Sequence, residues 1–416
     1  MNLRYQIRSL LNSSQNKLAT VIQKLPIKSE ILGPPKGFYR FTSDFFAMSS
    51  LSSQGKIMKN FVEDDYGYKI YSKLPNSIDE NIYWKFIKVH ETYKIISREN
   101  KRKNIFSETF VAIVTDGRVW GNSGAIITPD DKLLADVSFD FVRRDAAHRV
   151  FYQWKLPRIY KVNGTVAVLS VAGGVGYYHW MFDLLPRIEL LRRSELDISC
   201  IDKFLVNSYQ LPFHKETLNI LGIRAEKIIE SSQYPHIKAT RLVVPSLAGN
   251  VGNMPQWVCK FLRREFLTRM KPEKLDIPKR IYISRAKASW RRVVNEDEVL
   301  NFLSIHLGFK SIVLESMSVV EQASLFSSAQ VVVSAHGAGL ANTVFCNPGT
   351  KVIEFLSPNY VNLMYWALSN QMSIEYYYLF GKGERHNQYT EIHNVGEDIA
   401  IEINSLQHIM SYAKIV

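Results

Sequence analysis

Residues 331–340 read VVVSAHGAGL, an apolar run that gives way to a histidine and two glycines. If VVVSA is a buried strand, His336, Gly337, Ala338, Gly339 and Leu340 form the turn into a following helix. Glycine lets a ligand approach the backbone closely and can take positive φ. The first N–H groups of a helix attract anions, phosphate above all. His336 can add a hydrogen bond to a diphosphate oxygen. The alternative is a tight strand–helix turn whose glycines only permit packing.

Cations for such an anion stand at another strand end. RIYISR (280–285) ends in Arg285, and Lys287, Arg291 and Arg292 follow in AKASWRRVVNE. Solvated surface charge remains the plainer reading of Lys287 and of one of the paired arginines. Glu354, late in KVIEFLS, suits hydrogen bonds to a ribose or sugar diol, or an ion pair with one of these arginines. A different chemistry is spelled by GGVGYYHWMFDLLPRIELL (173–191). His179 and Asp183 are four apart and share one face of a helix, and a carboxylate beside an imidazole orients it as a general base. Pro186 should kink that helix or begin a new one, which leaves the direction of Arg187 open; a structural histidine bonded to a buried Asp is the alternative. Asp64-Asp65 and Asp130-Asp131 sit in turn-like text and read as solvated turn acids, so no metal site is implied.

The elements that must position these residues alternate. Residues 108–140 carry turn signals at Asp116-Gly117 and Pro129-Asp130-Asp131 between short β-branched runs, the pattern of a meander. VAVLSVAG, KFLVNS, KIIES and RLVVPS then alternate with helical text, and a second series follows: RIYISR, SIVLES, VVVSA, KVIEFLS and IEYYYLF. Short apolar runs without strict alternation indicate strands buried on both faces, hence parallel sheets. Asn295 and Ser318 stand as helix caps, Ser318 with Glu321 as a capping box. The expectation is an α/β chain of two Rossmann-like domains facing across a cleft. Residues 1–100 are an N-terminal extension, 101–275 a first Rossmann-like domain with a β-rich start, and 276–416 a second Rossmann-like domain, with ligands at the carboxyl ends of the strands. Residues 26–41, rich in Pro and Gly, read as a linker or extended arm.

Composition narrows the classes. The 416 residues are 46% hydrophobic and 12% aromatic, enough for large cores. No stretch reaches the roughly 18 apolar residues of a membrane span, and the N-terminus reads as a basic amphipathic helix or loose arm, not a secretory signal. Cys200, Cys259 and Cys346 lack metal or disulfide spacing and read as buried small hydrophobes in a reducing compartment. The net charge of +13 favours anionic partners, although no zinc-finger, arginine-rich or base-stacking signature points to nucleic acid.

The ordered set GYYHWMFDLLPRIELL, RIYISRAKASWRRVVNEDEVL, SVVEQASLFSSAQVVVSAHGAGLANTVF and PGTKVIEFLSP resembles glycosyltransferase family 61 over about residues 105–380. Bacterial members of that family serve capsular or other surface polysaccharide synthesis. The resemblance implies an inverting, metal-independent enzyme of the GT-B type, with a UDP-sugar held by the C-terminal domain and no cofactor. It gives His336 to Leu340, Arg285, Arg292 and Glu354 to the donor, His179 to base catalysis with Asp183 as support or as the base itself, and Tyr178 and Arg187 to the acceptor or cleft. Where the family often has Asn before the two tyrosines, this chain has Gly176. The implied partners are a nucleotide-sugar and a glycan or lipid-linked glycan. The implied place is cytoplasmic, peripheral to an anionic inner membrane, without nucleic acid. Two other classes stay open: a non-catalytic nucleotide-sugar-binding protein, and a basic protein of nucleic-acid or membrane surfaces.

Overall fold

The computed structural model describes residues 14–48, 55–60, 109–141, 145–194, 196–249, 251–269, 277–383 and 396–416. Asp64-Asp65 lies outside them. The described residues fall into two compact α/β units, one ending at Gly249 and one taking in the residues from 251 onward. That division lies earlier than the 275/276 boundary read from the sequence. Helix α1 (Gln256–Leu267) belongs to the second unit, because its Arg263 Nη1 donates to the carbonyls of Val344 (3.0 Å) and Cys346 (2.7 Å).

The first unit is built on one mixed sheet. Its strands are β1 (Gly37–Tyr39), β2 (Gly55–Asn60), β3 (Thr109–Thr115), β4 (Arg118–Trp120), β5 (Ala125–Ile127), β6 (Lys132–Leu134), β7 (Tyr160–Val168), β8 (Lys203–Val206), β9 (Ile228–Glu230) and β10 (His236–Pro245). The order is β1-β6-β5-β4-β10-β7-β8-β9, with β3 also paired to β10 and β2 to β3. The expected meander is β4-β5-β6, antiparallel throughout. The βα series supplies β10, β7, β8 and β9, which run parallel. Apolar side chains of β3, β7, β8 and β10 form the core, among them Val114, Val166, Leu205 and Leu242.

The N-terminal arm is docked. Gly33 N bonds to Trp154 O (2.9 Å), Lys36 N to Asp131 O (2.7 Å), and β1 adds in parallel to β6. Asp131, read as a solvated turn acid, is 2% exposed and takes the guanidinium of the buried Arg118 and the hydroxyl of Ser29. A buried cation demands a buried anion, and the partner comes from 13 residues away for Arg118 and 102 for Ser29. Among the cysteines, Cys259 and Cys346 are buried but Cys200 is exposed, against expectation.

The second unit carries a wholly parallel sheet of β11 (Arg280–Ile283), β12 (Lys310–Ile312), β13 (Val331–Ala335), β14 (Lys351–Leu356) and β15 (Glu375–Phe380), in the order β12-β11-β13-β14-β15. All five residues of β13 are buried, as an apolar run covered on both faces must be. Counted from β11 the order is 2-1-3-4-5, so the direction of winding reverses between β11 and β13. In such sheets the crevice at the carboxyl ends of the two strands flanking the reversal is where ligands bind. The C-terminal helix Ile403–Tyr412 closes one face, with Leu406, Ile409 and Met410 packed in a core that includes Tyr282, Val333 and Phe355. Ser318 and Glu321 form the expected capping box. Asn295 does not cap through its side chain. Its amide instead accepts from Ile401 N (2.9 Å) and donates to Ile401 O (2.8 Å), fastening the C-terminal segment.

Candidate active site

The carboxyl ends of β11 and β13 lie side by side, Ile283 opposite Ser334. One strand therefore delivers Arg285 and the other delivers His336 and Gly337 to the same edge. Glu296 fixes the first of these ends, accepting from Tyr282 Oη (2.9 Å), Ser284 Oγ (3.1 Å) and Arg285 N (3.3 Å). Burial, then the Glu296 charge, raises the Tyr282 phenol above its ordinary range, so it stays a donor.

Gly337 has φ 175°, extended backbone open to any residue, so its lack of a side chain is not required by a left-handed conformation. The reason is contact. A Cβ there would stand 2.5 Å from Arg285 Cζ, inside the guanidinium. Arg285 is held over the turn by Nε to Arg291 O (3.0 Å) and Nη2 to Trp290 O (2.7 Å). Burial, followed by the charge of Arg291, lowers its pKa. Arg291 in turn donates from Nε to His336 O (2.9 Å), with its guanidinium over the Tyr360 ring. Two guanidinium groups thus converge on one backbone turn. Beyond it, Ala338 is exposed and Gly339 partly so. They open a 3₁₀ helix, Ala338–Phe345, whose first N–H groups lack carbonyls within the helix. The concentration of donors and positive charge suits an anion.

The remaining donor candidates fall around this turn. The His336 ring is buried, and its Nδ1 donates to Glu354, whose other oxygen accepts from Tyr376. Glu354 is fully buried, with one oxygen on each of these partners, so as placed it orients His336 and offers nothing to a sugar diol; among the described residues it pairs with no arginine. Burial, then the Glu354 charge, drives the Tyr376 phenol well upward and keeps its proton on. Arg292 points elsewhere, exposed and bonded to Asp398 through its backbone N (2.8 Å), Nε (3.1 Å) and Nη2 (2.7 Å). Arg291, which the sequence offered only as one of two neighbouring arginines, is the one on the His336 turn. Leu340 is buried beneath it.

In the first unit the segment after β7 carries the other cluster. The helix starts at Tyr177, widens to a π-helical turn at Trp180–Leu184, and resumes as α2 (Pro186–Arg193). Proline has no N–H to give to an earlier carbonyl, and the wider turn absorbs that loss. His179 Nδ1 and Asp183 Oδ2 are 2.7 Å apart, with about a fifth of the imidazole exposed. A carboxylate accepts, so the Nδ1 proton is committed to Asp183 and Nε2 keeps its lone pair. Phe141 meets the imidazole edge-on at 5.1 Å, and Tyr178 at 5.4 Å. Gly173, at φ +72°, makes the fit possible: a Cβ there would lie 2.6 Å from His179 Cδ2 and 2.8 Å from Phe141 Cζ.

Tyr178 and Arg187, assigned from the resemblance to the acceptor or cleft, are buried at 5% and 1% exposure. Arg187 Nη1 bonds the carbonyls of Val168 (3.3 Å) and Ser170 (3.1 Å), closing the end of β7. Burial pushes Arg187 down to about 10, opposed by the charge of Asp183. It remains a cation at neutral pH. Asn207 pins the loop that follows, its Oδ1 accepting from Val171 N (3.0 Å) and its Nδ2 donating to Val171 O (2.8 Å).

A family model described as Glycosyltransferase 61 matches residues 177–353. Over those residues the chain is similar to glycosyltransferase family 61. The matched segment includes His179, Asp183, Arg285, Arg291 and the turn from His336 to Leu340. The chain is also similar to the beta-1,2-xylosyltransferase RCN11 of Oryza sativa subsp. japonica, 39% identical over 61 residues. Those residues are 15% of this chain and 11% of that protein, so the match spans about a tenth of the relative's length. The relative is a plant protein, and the bacterial surface-polysaccharide setting expected from the sequence is not borne out. Among the described residues, no helix is long and apolar enough to cross a membrane, and no cluster of His, Cys, Asp or Glu is placed to hold a metal ion.

Proposed function

We propose that this chain is an inverting glycosyltransferase of the GT-B arrangement, moving a sugar from a nucleotide donor, UDP-linked by preference, to a hydroxyl of a glycan. The observation that carries the reading is the pair of guanidinium groups, Arg285 and Arg291, fixed on the His336-Gly337 turn at the winding reversal of a parallel sheet. An inverting transfer needs a base for the acceptor hydroxyl and a positive counterpart for the departing diphosphate. His179 supplies the base at Nε2, with Asp183 holding its tautomer. The acceptor proton passes to Nε2 as the acceptor oxygen bonds to the anomeric carbon, and the bond from that carbon to the diphosphate oxygen breaks. The negative charge that appears on the diphosphate is met by Arg285, Arg291 and the first N–H groups of the 3₁₀ helix that opens at Ala338. Those cations can do the work a divalent metal does in other transferases, which is the basis for proposing metal independence.

His179→Ala tests the assignment. Transfer from a UDP-sugar falls by two to four orders of magnitude, the span of a general base, while UDP binding stays at the wild-type level. Near-normal turnover in the variant gives the base role to another group, Asp183 first.

A further inference from the structure

We propose that Trp290 is the platform on which the donor's nucleobase stacks, an inference that rests on the donor site described above and adds a subsite to it. Trp290 is 56% exposed, an unusual position for an indole on a protein surface. Its placement is nonetheless fixed. Its carbonyl accepts from Arg285 Nη2 (2.7 Å), so the indole is tethered one residue's reach from the anion-facing guanidinium. The next residue, Arg291, has φ +55°, a left-handed conformation uncommon for a residue other than glycine and found where surrounding contacts over-determine it. Those contacts are on both sides: Arg291 N donates to Gly396 O (3.2 Å) and Arg291 Nε donates to His336 O (2.9 Å).

Gly396 also supports the ring. A Cβ on Gly396 would lie 3.3 Å from Trp290 Cγ and 3.4 Å from Cδ2, so the indole rests on a residue with no side chain to push it away. The segment after it is locked to the same loop: Ile399 N donates to Arg292 O (2.8 Å) and Asp398 takes Arg292. One part of the indole is seated on backbone while the residue is 56% exposed, next in sequence to Arg291 and bonded through its carbonyl to Arg285. A flat aromatic surface on the residue whose carbonyl holds Arg285 fits a purine or pyrimidine ring, which every nucleotide presents and which stacks on aromatic side chains with little regard to base identity. Trp290 therefore contributes affinity for the nucleoside end, while Arg285 and Arg291 contribute it for the phosphates.

The experiment compares wild type, Trp290→Ala and Trp290→Phe by titration calorimetry with three probes: UDP, GDP and inorganic pyrophosphate. The side chain is exposed, so its removal opens no cavity in the core, and a thermal melt checks folding. The expected outcome is that Trp290→Ala weakens binding of whichever nucleoside diphosphate the wild type takes by roughly ten- to a hundredfold, leaves pyrophosphate affinity unchanged, and is largely rescued by Trp290→Phe. Unchanged nucleotide affinity in Trp290→Ala overturns the platform and leaves the donor site standing. An equal loss for nucleotide and pyrophosphate also overturns it, since the residue then acts only by shaping the cation loop. A wild-type chain that binds pyrophosphate but neither nucleotide removes the platform alone, and one that binds none of the probes removes the donor-site reading together with it.

Discussion

Substituting Gly337 by Ala is the smallest change that separates the cation cradle from the fold around it. The backbone accepts the change, because φ at 175° is ordinary for alanine. The added methyl carbon, however, falls 2.5 Å from Arg285 Cζ and 3.2 Å from Nη2, so the guanidinium must leave. Leaving breaks two bonds from a charged donor, to Arg291 O (3.0 Å) and Trp290 O (2.7 Å). Such bonds are worth on the order of 1.5–3 kcal/mol each when buried; with Arg285 partly exposed, a total of about 2 kcal/mol of stability is the working figure. The catalytic cost is larger, since one fixed donor to transition-state charge is worth about 10²–10³ in kcat. The assay is a double-mutant cycle on sugar transfer and UDP affinity, with Gly337→Ala, Arg285→Ala and the pair. If Gly337 acts by making room for Arg285, each single variant loses a similar amount and the pair loses no more than Arg285→Ala alone. Additive losses would refute this reasoning and return Gly337 to direct backbone contact with the ligand.

Two further outcomes follow from other parts of the molecule. His236 gives its Nδ1 proton to Pro157 O (2.8 Å) while Nε2 faces Arg118 Nη1 at 3.4 Å, and burial first, with Arg118 adding, holds it down to about 4; burial does the same to His148. Both stay neutral in the folded chain, while the unfolded chain takes up protons near pH 6.5. Their stability contribution is thus whole above pH 6.5, falls by about 2 kcal/mol per histidine by pH 5, and levels off below about pH 4; denaturant melts at stepped pH check it, and a flat stability between pH 7 and 5 contradicts it. On the helix over 14–23, Leu18 and Val21 are exposed, as is Leu25 beyond it, with Lys17, Lys24 and Lys28 also exposed. Co-sedimentation with vesicles containing anionic lipid should therefore be lost on changing Leu18 and Val21 to Ser, and binding to neutral vesicles alone would contradict the electrostatic part.

Much of the second unit could be read directly from the chain. The run VVVSA is apolar because both faces of β13 are covered, and the bare HGAG corner after it marks the strand end at which the donor is proposed to bind. What escaped the reading depends on contacts between distant positions. Glu354 was legible as an acid late in a strand, but nothing nearby in sequence tells that its oxygens meet His336 and Tyr376, 18 and 22 residues away. Choosing Arg291 over Arg292 required the positive φ at Arg291 and the residues 396–399 that grip the loop, more than a hundred positions from it. Pro186 signalled a disturbance of the helix, yet nothing in the sequence gives the form it took, a π turn that leaves His179 and Asp183 in register and buries Arg187 on the carbonyls of Val168 and Ser170. Asp131 looked like a surface turn because its buried partner Arg118 sits across the meander.

The donor site stands or falls on UDP calorimetry with wild type, Arg285→Ala and His179→Ala side by side. Wild type and His179→Ala should bind with matching affinity, and Arg285→Ala at least tenfold more weakly. Equal binding by all three, or no binding by the wild type to any nucleoside diphosphate, would contradict the assignment of the β11–β13 edge to the donor.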